Sequence, residues 1–252
     1  MALLAAAASV PAVASAQELQ VGVTPSPLIS PTCPSGVSAT DCTIVLTQVT
    51  AFETLRDSVA DPTEIKQSGV IDSFSVGLAG TTTITSADIA YLNKTYGGAP
   101  EVQLAVLQPE GTAALPSYRV AAQSPVYGIE SQLGQVAEIP LVTPLPVVRG
   151  EILALTVPTW APVLSFDLST TAFSYSQSRK QTVTSSGSSC NTSAGASLAQ
   201  ETIGELSYYS CNYQGTRVEY SALEITTPAG LTSSARRHLR AAKRAARRHT
   251  SR

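Results

Sequence analysis

The sequence predicts an all-β fold, an antiparallel β-sandwich with one short helix, and three observations carry that prediction. Thr, Ser, Val, Ala, Gly and Pro dominate, and only 13% of the 252 residues are charged, a composition that suits short twisted strands joined by punctuated turns. Apolar residues alternate with polar ones in eight or nine short runs bounded by turn residues, the period of a half-buried strand. The runs do not alternate with helices, which parallel crossovers of about a dozen residues would require.

Residues 1–16 read as a cleaved signal peptide. Residues 2–13 are almost unbroken small and apolar, and Ala14-Ser15-Ala16 has the small-x-small form that signal peptidase accepts, although no Lys or Arg follows Met1. The run is shorter than the roughly 20 residues that cross a bilayer. Later apolar runs, such as residues 141–148, are interrupted by Pro, Gly or charge, so no transmembrane span is expected after cleavage. Residues 17–41, with Pro25, Pro27, Pro31 and Pro34, read as a Pro/Ser/Thr-rich leader. Residues 42–228 are the expected sandwich domain, and residues 229–252 a basic tail.

Export implies an oxidising compartment for Cys33, Cys42, Cys190 and Cys211. Three pairings exist, and the local one, Cys33–Cys42 with Cys190–Cys211, is the simplest. Each bridge would contribute about 2–4 kcal/mol by chain-closure entropy. Zinc is disfavoured, because the spacing lacks the Cys-x₂-Cys knuckle and the body of the chain has no His.

The elements follow in order. Residues 42–49 form the first expected strand. Residues 69–80 are the clearest one, with Phe74, Val76 and Leu78 on one face. Residues 86–96 read as a helix: Ser86 as cap, Asp88 in the first turn, Ile89, Leu92 and Tyr96 along one side, Gly97 and Gly98 as the stop. Lying between strands, it is expected to cover one end of the sandwich. Strands are then expected at 101–108 (Val102, Leu104 and Val106 inward), 118–122 and 137–142. Pro144 and Pro146 bar a central position just after the last of these. Further strands are expected at 152–157 (Leu153, Leu155, Val157), 163–168, 173–178 and 217–225 (Val218, Tyr220, Ala222). That inventory fits a sandwich of jelly-roll or immunoglobulin-like character, followed by a tail that is helical or disordered.

Chemistry narrows by residue type. Hydrolysis needs a base near its working pH, usually His, or two carboxylates with separated pKa values. Both histidines, His238 and His249, lie in the tail, so the body holds no Ser-His-Asp, Cys-His or His–metal set. A glycosidase needs only carboxylates. Asp72, Asp88, Glu101, Glu130, Glu138, Glu151, Asp167 and Glu219 are present, yet none is singled out by spacing or aromatic company, and each reads as a solvated residue. No Asp-rich calcium loop occurs; Asp57, Asp61 and Glu64 are the one grouping that would suit that ion. No cofactor or metal is expected, and the chain reads as a non-enzyme.

Binding is the remaining class. Sugar sites stack rings on aromatic faces, and Tyr and Trp join a flat apolar body to a polar tip. Trp160 lies between Pro158 and Pro162 in an expected loop, Tyr208, Tyr209 and Tyr213 bracket Cys211, and Tyr175 is expected across the sheet. These five are the candidate binding residues. The competing reading makes Trp160 a plug at one end of the core and packs the tyrosines on a disulfide. Asn93-Lys94-Thr95 and Asn191-Thr192-Ser193 match the glycosylation sequon.

Charge is strongly segregated. Before residue 231 there are 8 basic and 18 acidic residues, a net of −10; from there on there are 8 basic residues and no acid, a net of +8. Arg236, Arg237, Arg240, Lys243, Arg244, Arg247 and Arg248 lie over a thin stripe of Leu231, Ala235, Leu239, Ala242 and Ala246. Anionic envelope polymers, acidic lipids or the acidic body would attract such a tail. Nucleic acid is not an expected physiological partner of an exported chain.

Three runs carry a resemblance: Gly-Val-Ile-x-x-Phe-x-Val at 69–76, Val-x-Leu-x-Val-Leu-x-Pro at 102–109 and Val-x-x-Gly-Glu-x-Leu-x-Leu at 147–155. Over roughly residues 40–225 the chain resembles uncharacterised exported β-sandwich proteins of soil actinobacteria, a group that brings no active site to carry over. The combined expectation is a non-catalytic extracellular or envelope-associated domain that binds glycans or anionic surface polymers. The alternatives are a carboxylate-dependent glycoside hydrolase and a purely structural surface protein.

Overall fold

Period-two alternation produces fifteen strands among the residues that the computed structural model describes, 16–38, 41–180 and 197–227. In chain order these are β1 (Glu18–Val21), β2 (Leu46–Arg56), β3 (Val59–Ala60), β4 (Gly69–Gly77), β5 (Glu101–Pro109), β6 (Ser117–Gln123), β7 (Tyr127–Gly128), β8 (Val136–Val147) and β9 (Ile152–Ala161). The short β10 (Leu164–Ser165), β11 (Ser174–Gln177), β12 (Leu206–Tyr208), β13 (Asn212–Gln214) and β14 (Arg217–Val218) precede β15 (Tyr220–Thr226). Helix α1 (Ser86–Tyr96) lies between β4 and β5.

Every strand pair is antiparallel. The smaller sheet has the order β1-β15-β4-β8 and the larger one β12-β6-β5-β9-β2-β11-β13, with β3 added to β2 and β7 to β5; β10 and β14 form a separate pair. The two sheets pack face to face around one core, to which Phe74, Val76, Ile139, Tyr220 and Ala222 contribute from one side and Val49, Leu104, Val106, Leu155 and Val157 from the other. The result is a mostly antiparallel, roughly sandwich-like all-β structure with one helix.

The outer face of the large sheet is buried as well. Ala105 and Leu107 of β5 point away from the core, as alternation requires, but pack with Phe52, Val120, Ile152, Ala154 and Tyr209 in a second cluster. Residues 197–211 make polar contacts there through Gln200, whose backbone N–H donates to Thr50 Oγ1 at 2.9 Å and whose Nε2 donates to the carbonyls of Tyr118 and Glu205.

Several expected elements have different limits. The first strand begins at Leu46 and runs to Arg56. Cys42 is tied to Cys33, and Ile44 packs against Trp160 before the ladder starts. β8 runs through Pro140, Pro144 and Pro146, and it does so on the outside of its sheet, where a missing N–H costs no ladder bond. Helix α1 has the expected limits, but Thr85 caps it in place of Ser86, in a reciprocal box with Asp88. Gly97 closes it at φ 90°, a left-handed conformation that glycine adopts without strain. Ile89, Leu92 and Tyr96 rest on the Ile44–Ala79–Ile84–Trp160 cluster, so the helix covers that end of the sandwich.

The leader differs most from expectation. Residues 18–21 form β1 and pair with β15, so the boundary at residue 42 does not separate a linker from the sandwich. Beyond β1 the chain lies against β4, where a Cβ on Gly77 would come within 1.9 Å of the Ile29 carbonyl. Of the two expected disulfides, Cys33–Cys42 is formed, with a Cα separation of 5.5 Å. Cys211 is buried and disulfide-bonded, and its expected partner Cys190 lies outside the described residues. Residues 1–15 of the expected signal peptide and the basic tail from residue 229 also lie outside them.

Candidate functional site

Strand alternation decides which of the five candidate aromatics can meet a ligand. Trp160, on β9, is fully buried; its Nε1 donates to Asn93 Oδ1 at 2.9 Å and to the Gly98 carbonyl at 3.1 Å. Its ring has no face to offer, and the sequon asparagine Asn93 is its partner. Tyr209 is also buried, with its ring 5.1 Å from both Phe52 and Tyr118 and its hydroxyl donating to Gln200 Oε1. Burial pushes its phenol far above the ordinary range. Tyr208 is half-buried in β12, exchanging backbone hydrogen bonds with Arg179. Trp160 and Tyr209 belong to separate buried clusters.

Tyr175 and Tyr213 do come together. They are register partners across β11 and β13, with rings stacked at 5.0 Å and an interplanar angle of 18°. Period two along β11 and just past it puts Gln177 and Arg179 on the same side as Tyr175. Tyr175 Oη donates to Gln177 Oε1 at 3.3 Å, Gln177 Nε2 donates to Tyr213 Oη at 3.3 Å, and Arg179 Nη2 donates to the same Oη.

These groups line a pocket of about 340 Å³ at the flank of the sandwich, together with Thr43, Thr47, Phe166 and Thr216. No Asp or Glu is among its described lining residues, and Arg179 is the one cationic side chain among them. Chemically the pocket offers an aromatic pair, a side-chain amide, hydroxyls and one guanidinium, groups suited to hydroxyl-rich or anionic ligands. Gln177 and Arg179 were missed as candidates. The signal that would have found them is the i, i+2, i+4 spacing from Tyr175.

The carboxylates are dispersed. Asp88 caps α1, and Glu151 accepts from the Val148 N–H at 2.6 Å. Asp72, Glu130, Glu138 and Asp167 are exposed, and Glu101 is half-buried. Glu219 departs from the expectation of a solvated residue: it is fully buried, 3.0 Å from Arg217 Nη2, and accepts from Ser165 Oγ at 2.7 Å. Burial lifts its carboxyl to about 7, outweighing the Ser165 hydroxyl and the Arg56 charge. Glu53, also buried, lies 3.7 Å from Arg56 and accepts from the Val218 N–H at 2.9 Å; burial raises its carboxyl too.

Raised carboxyl pKa values are a mark of active sites, but here both carboxyls are sealed and both arginines serve the leader. Arg56 donates to the carbonyls of Gly22, Tyr220 and Ser26. Arg217 donates to those of Ser26 and Pro27. The cluster fastens residues 22–29 to the sandwich.

Asp57, proposed with Asp61 and Glu64 as a calcium set, accepts instead from Ser26 N, Ser26 Oγ and Thr24 Oγ1 at 2.8, 2.6 and 2.5 Å, which lowers its pKa. Among the described residues no group of three or more His, Cys, Asp and Glu is placed to hold a metal ion. No helix among them is long and apolar enough to cross a membrane. The chain matches no model of a known protein family, no curated protein and no solved structure.

Proposed function

We propose that this chain is an exported, extracellular or envelope-associated binding domain without catalytic activity, and that the pocket beside Tyr175 and Tyr213 takes a glycan or another hydroxyl-rich anionic surface polymer. The observation that carries this reading is the convergence of a stacked tyrosine pair, Gln177 and Arg179 on one cavity with no carboxylate among its described lining residues. Aromatic faces receive the apolar side of a sugar ring, amide and guanidinium groups meet its hydroxyls and carboxylates, and the cavity's volume falls in the range of about 300–1,000 Å³ common to small-ligand sites.

Strand order supports a jelly-roll form for the sandwich over an immunoglobulin-like one. Taking β1, β2, β4, β5, β6, β8, β9 and β15 as successive main strands, the small sheet runs first, eighth, third, sixth. The large sheet runs fifth, fourth, seventh, second. That interleaving is what two nested Greek keys produce, and jelly rolls include many lectin domains. Fold analogy says nothing of the ligand by itself. The resemblance to exported actinobacterial sandwiches belongs to the same proposal, as does a tethering role for the basic tail.

The test is an array of neutral and uronate-bearing oligosaccharides probed with the purified chain. Acidic glycans should be retained, and Tyr213→Ala or Arg179→Gln should each weaken retention about tenfold or more, some 1.4 kcal/mol per decade, while Trp160→Phe leaves it unchanged. Equal retention by all variants, or no retention, removes the pocket as the site. Turnover of any polysaccharide at any pH gives the chain to the hydrolases. Deleting residues 231–252 should release the protein from cell-wall fractions; unchanged retention removes the tail from the reading.

A further inference from the structure

A second cavity, which shares no lining residue with the tyrosine pocket, lies between β1 and the β3 turn. It measures about 470 Å³, and Leu19, Val21, Val23 and Val59 give it aliphatic walls. Val23 and Val59 are 50% and 48% exposed, so the groove is open to solvent. Set into this apolar surface is Glu224 of β15, only 1% exposed. Its Oε1 is buried without a hydrogen-bond partner. Its register neighbours on either side are Leu19 and Ile71, neither of which can donate from a side chain. Gly69 leaves the carboxyl its space, since a Cβ there would lie 3.0 Å from Oε1.

The other charged groups lining the groove are Asp61, Glu64 and Lys66, and the one cation among them is committed: Lys66 Nζ lies 2.6 Å from Glu64 Oε2. Burial raises the Glu224 carboxyl, with no hydrogen bond opposing it. A buried carboxylate without a partner is costly, and an incoming cation that donates to it recovers that cost.

We infer that this groove binds an aliphatic primary ammonium ion, its hydrocarbon stem along Leu19, Val21, Val23 and Val59 and its ammonium donating to the Glu224 carboxylate. A compact ammonium suits a single carboxylate approached from one side, whereas a guanidinium fork seeks two oxygens in parallel. A divalent metal would need several oxygens, typically six to eight for calcium, and Glu224 is the only buried carboxylate in the lining. The inference rests on β1, β3 and β15 and is independent of the tyrosine pocket.

The experiment titrates the full chain with hexylammonium chloride, followed by two-dimensional NMR. Hexan-1-ol and hexanoate are run as stem-matched neutral and anionic controls. The expected result is saturable binding with shifts confined to residues 19–25, 59–66 and 224. Affinity for hexan-1-ol should be at least tenfold lower, and Glu224→Gln, which keeps the side chain's size, should lose at least tenfold in hexylammonium affinity. Val59→Ser, which should fold normally at an exposed site, should weaken hexylammonium and hexan-1-ol together. Absence of saturable binding overturns the inference, as does equal binding of hexan-1-ol or unchanged binding by a folded Glu224→Gln variant. Binding by a chain ending at Thr227 but not by the full chain overturns the free-amine occupant and gives the groove to the Lys/Arg side chains of residues 231–252.

Discussion

The buried charge cluster and the tyrosine pocket use the same materials to opposite ends. Each sets arginine among polar acceptors beside β2, and each contains groups whose ionisation is displaced by burial. In the cluster, Arg56, Arg217, Glu53 and Glu219 are at most 4% exposed, and their partners are backbone groups of the leader, of Val218 and of Tyr220, the Ser165 hydroxyl and one another. In the pocket, Tyr213 is half-buried and the polar groups converge on a cavity. A perturbed pKa therefore does not distinguish a fastening from a site; access does.

The largest consequence of that difference is expected in stability. Arg56→Met leaves Glu53 without its nearby guanidinium and removes three hydrogen bonds to carbonyls. Breaking one side of a buried ion pair costs about 3–5 kcal/mol, so urea unfolding should shift by that amount. Arg179→Gln should shift it by about 1 kcal/mol at most. Equal losses in the two variants would erase the distinction between fastening and site.

Stability should also depend on pH in a direction set by the cluster. Glu219 has a folded-state pKa of about 7 against an ordinary 4.5, so the folded protein holds a proton that the unfolded chain has released. Its contribution is full below pH 4.5 and is lost as pH rises through 7, about 3 kcal/mol in all. Glu53 acts in the same direction. Asp57, whose pKa is lowered, acts oppositely: its contribution is present at neutral pH and lost as pH falls below the ordinary carboxylate range. Chemical denaturation at a series of pH values should show the decline between pH 4.5 and 7, and Glu219→Gln should flatten it. A rise in wild-type stability over that interval would contradict the assignment.

The Cys33–Cys42 bridge closes a loop with a sequence separation of 9. Chain-closure entropy puts its contribution at about 2–3 kcal/mol, so a Cys33→Ser/Cys42→Ser variant should melt lower by a corresponding amount. Because the bridge ties the leader to the start of β2, hydrogen exchange should quicken along residues 22–31 while β5 and β9 stay protected.

What could be read in the sequence follows the range of the interactions. Alternation at Phe74, Val76 and Leu78, at Val102, Leu104 and Val106 and at Leu153, Leu155 and Val157 is local, and those residues form the core as expected. The helix was legible from Asp88 and Gly97, although the cap lies one residue earlier. The leader was not legible, because proline density signals only an extended chain, while its partners Arg56, Arg217 and Glu219 are some 30 to 190 residues away. Glu53 and Arg56 would point to opposite faces of a regular strand; they meet at its end, just before Asp57 takes a φ of 51°. Trp160 lies between two prolines, yet it belongs to β9, where it packs under α1 and its Nε1 donates to Asn93. Of the candidate site, Tyr175 and Tyr213 were found by residue type, and Gln177 and Arg179 would have followed from spacing alone.

The smallest expected effect on stability is also the most discriminating. Tyr213→Phe keeps the ring that stacks on Tyr175 and removes only the hydroxyl that accepts from Gln177 and Arg179. Losing an acceptor beside a solvent-accessible cavity costs about 1 kcal/mol or less, because water replaces it. The thermal midpoint should therefore move by only a few degrees. Ligand retention should fall severalfold, because the hydroxyl orients both donors toward the cavity, and Tyr213→Ala should lower it further by removing the ring. A Tyr213→Phe variant that unfolds as readily as Arg56→Met would place Tyr213 with the fastening residues and leave the pocket without its central acceptor.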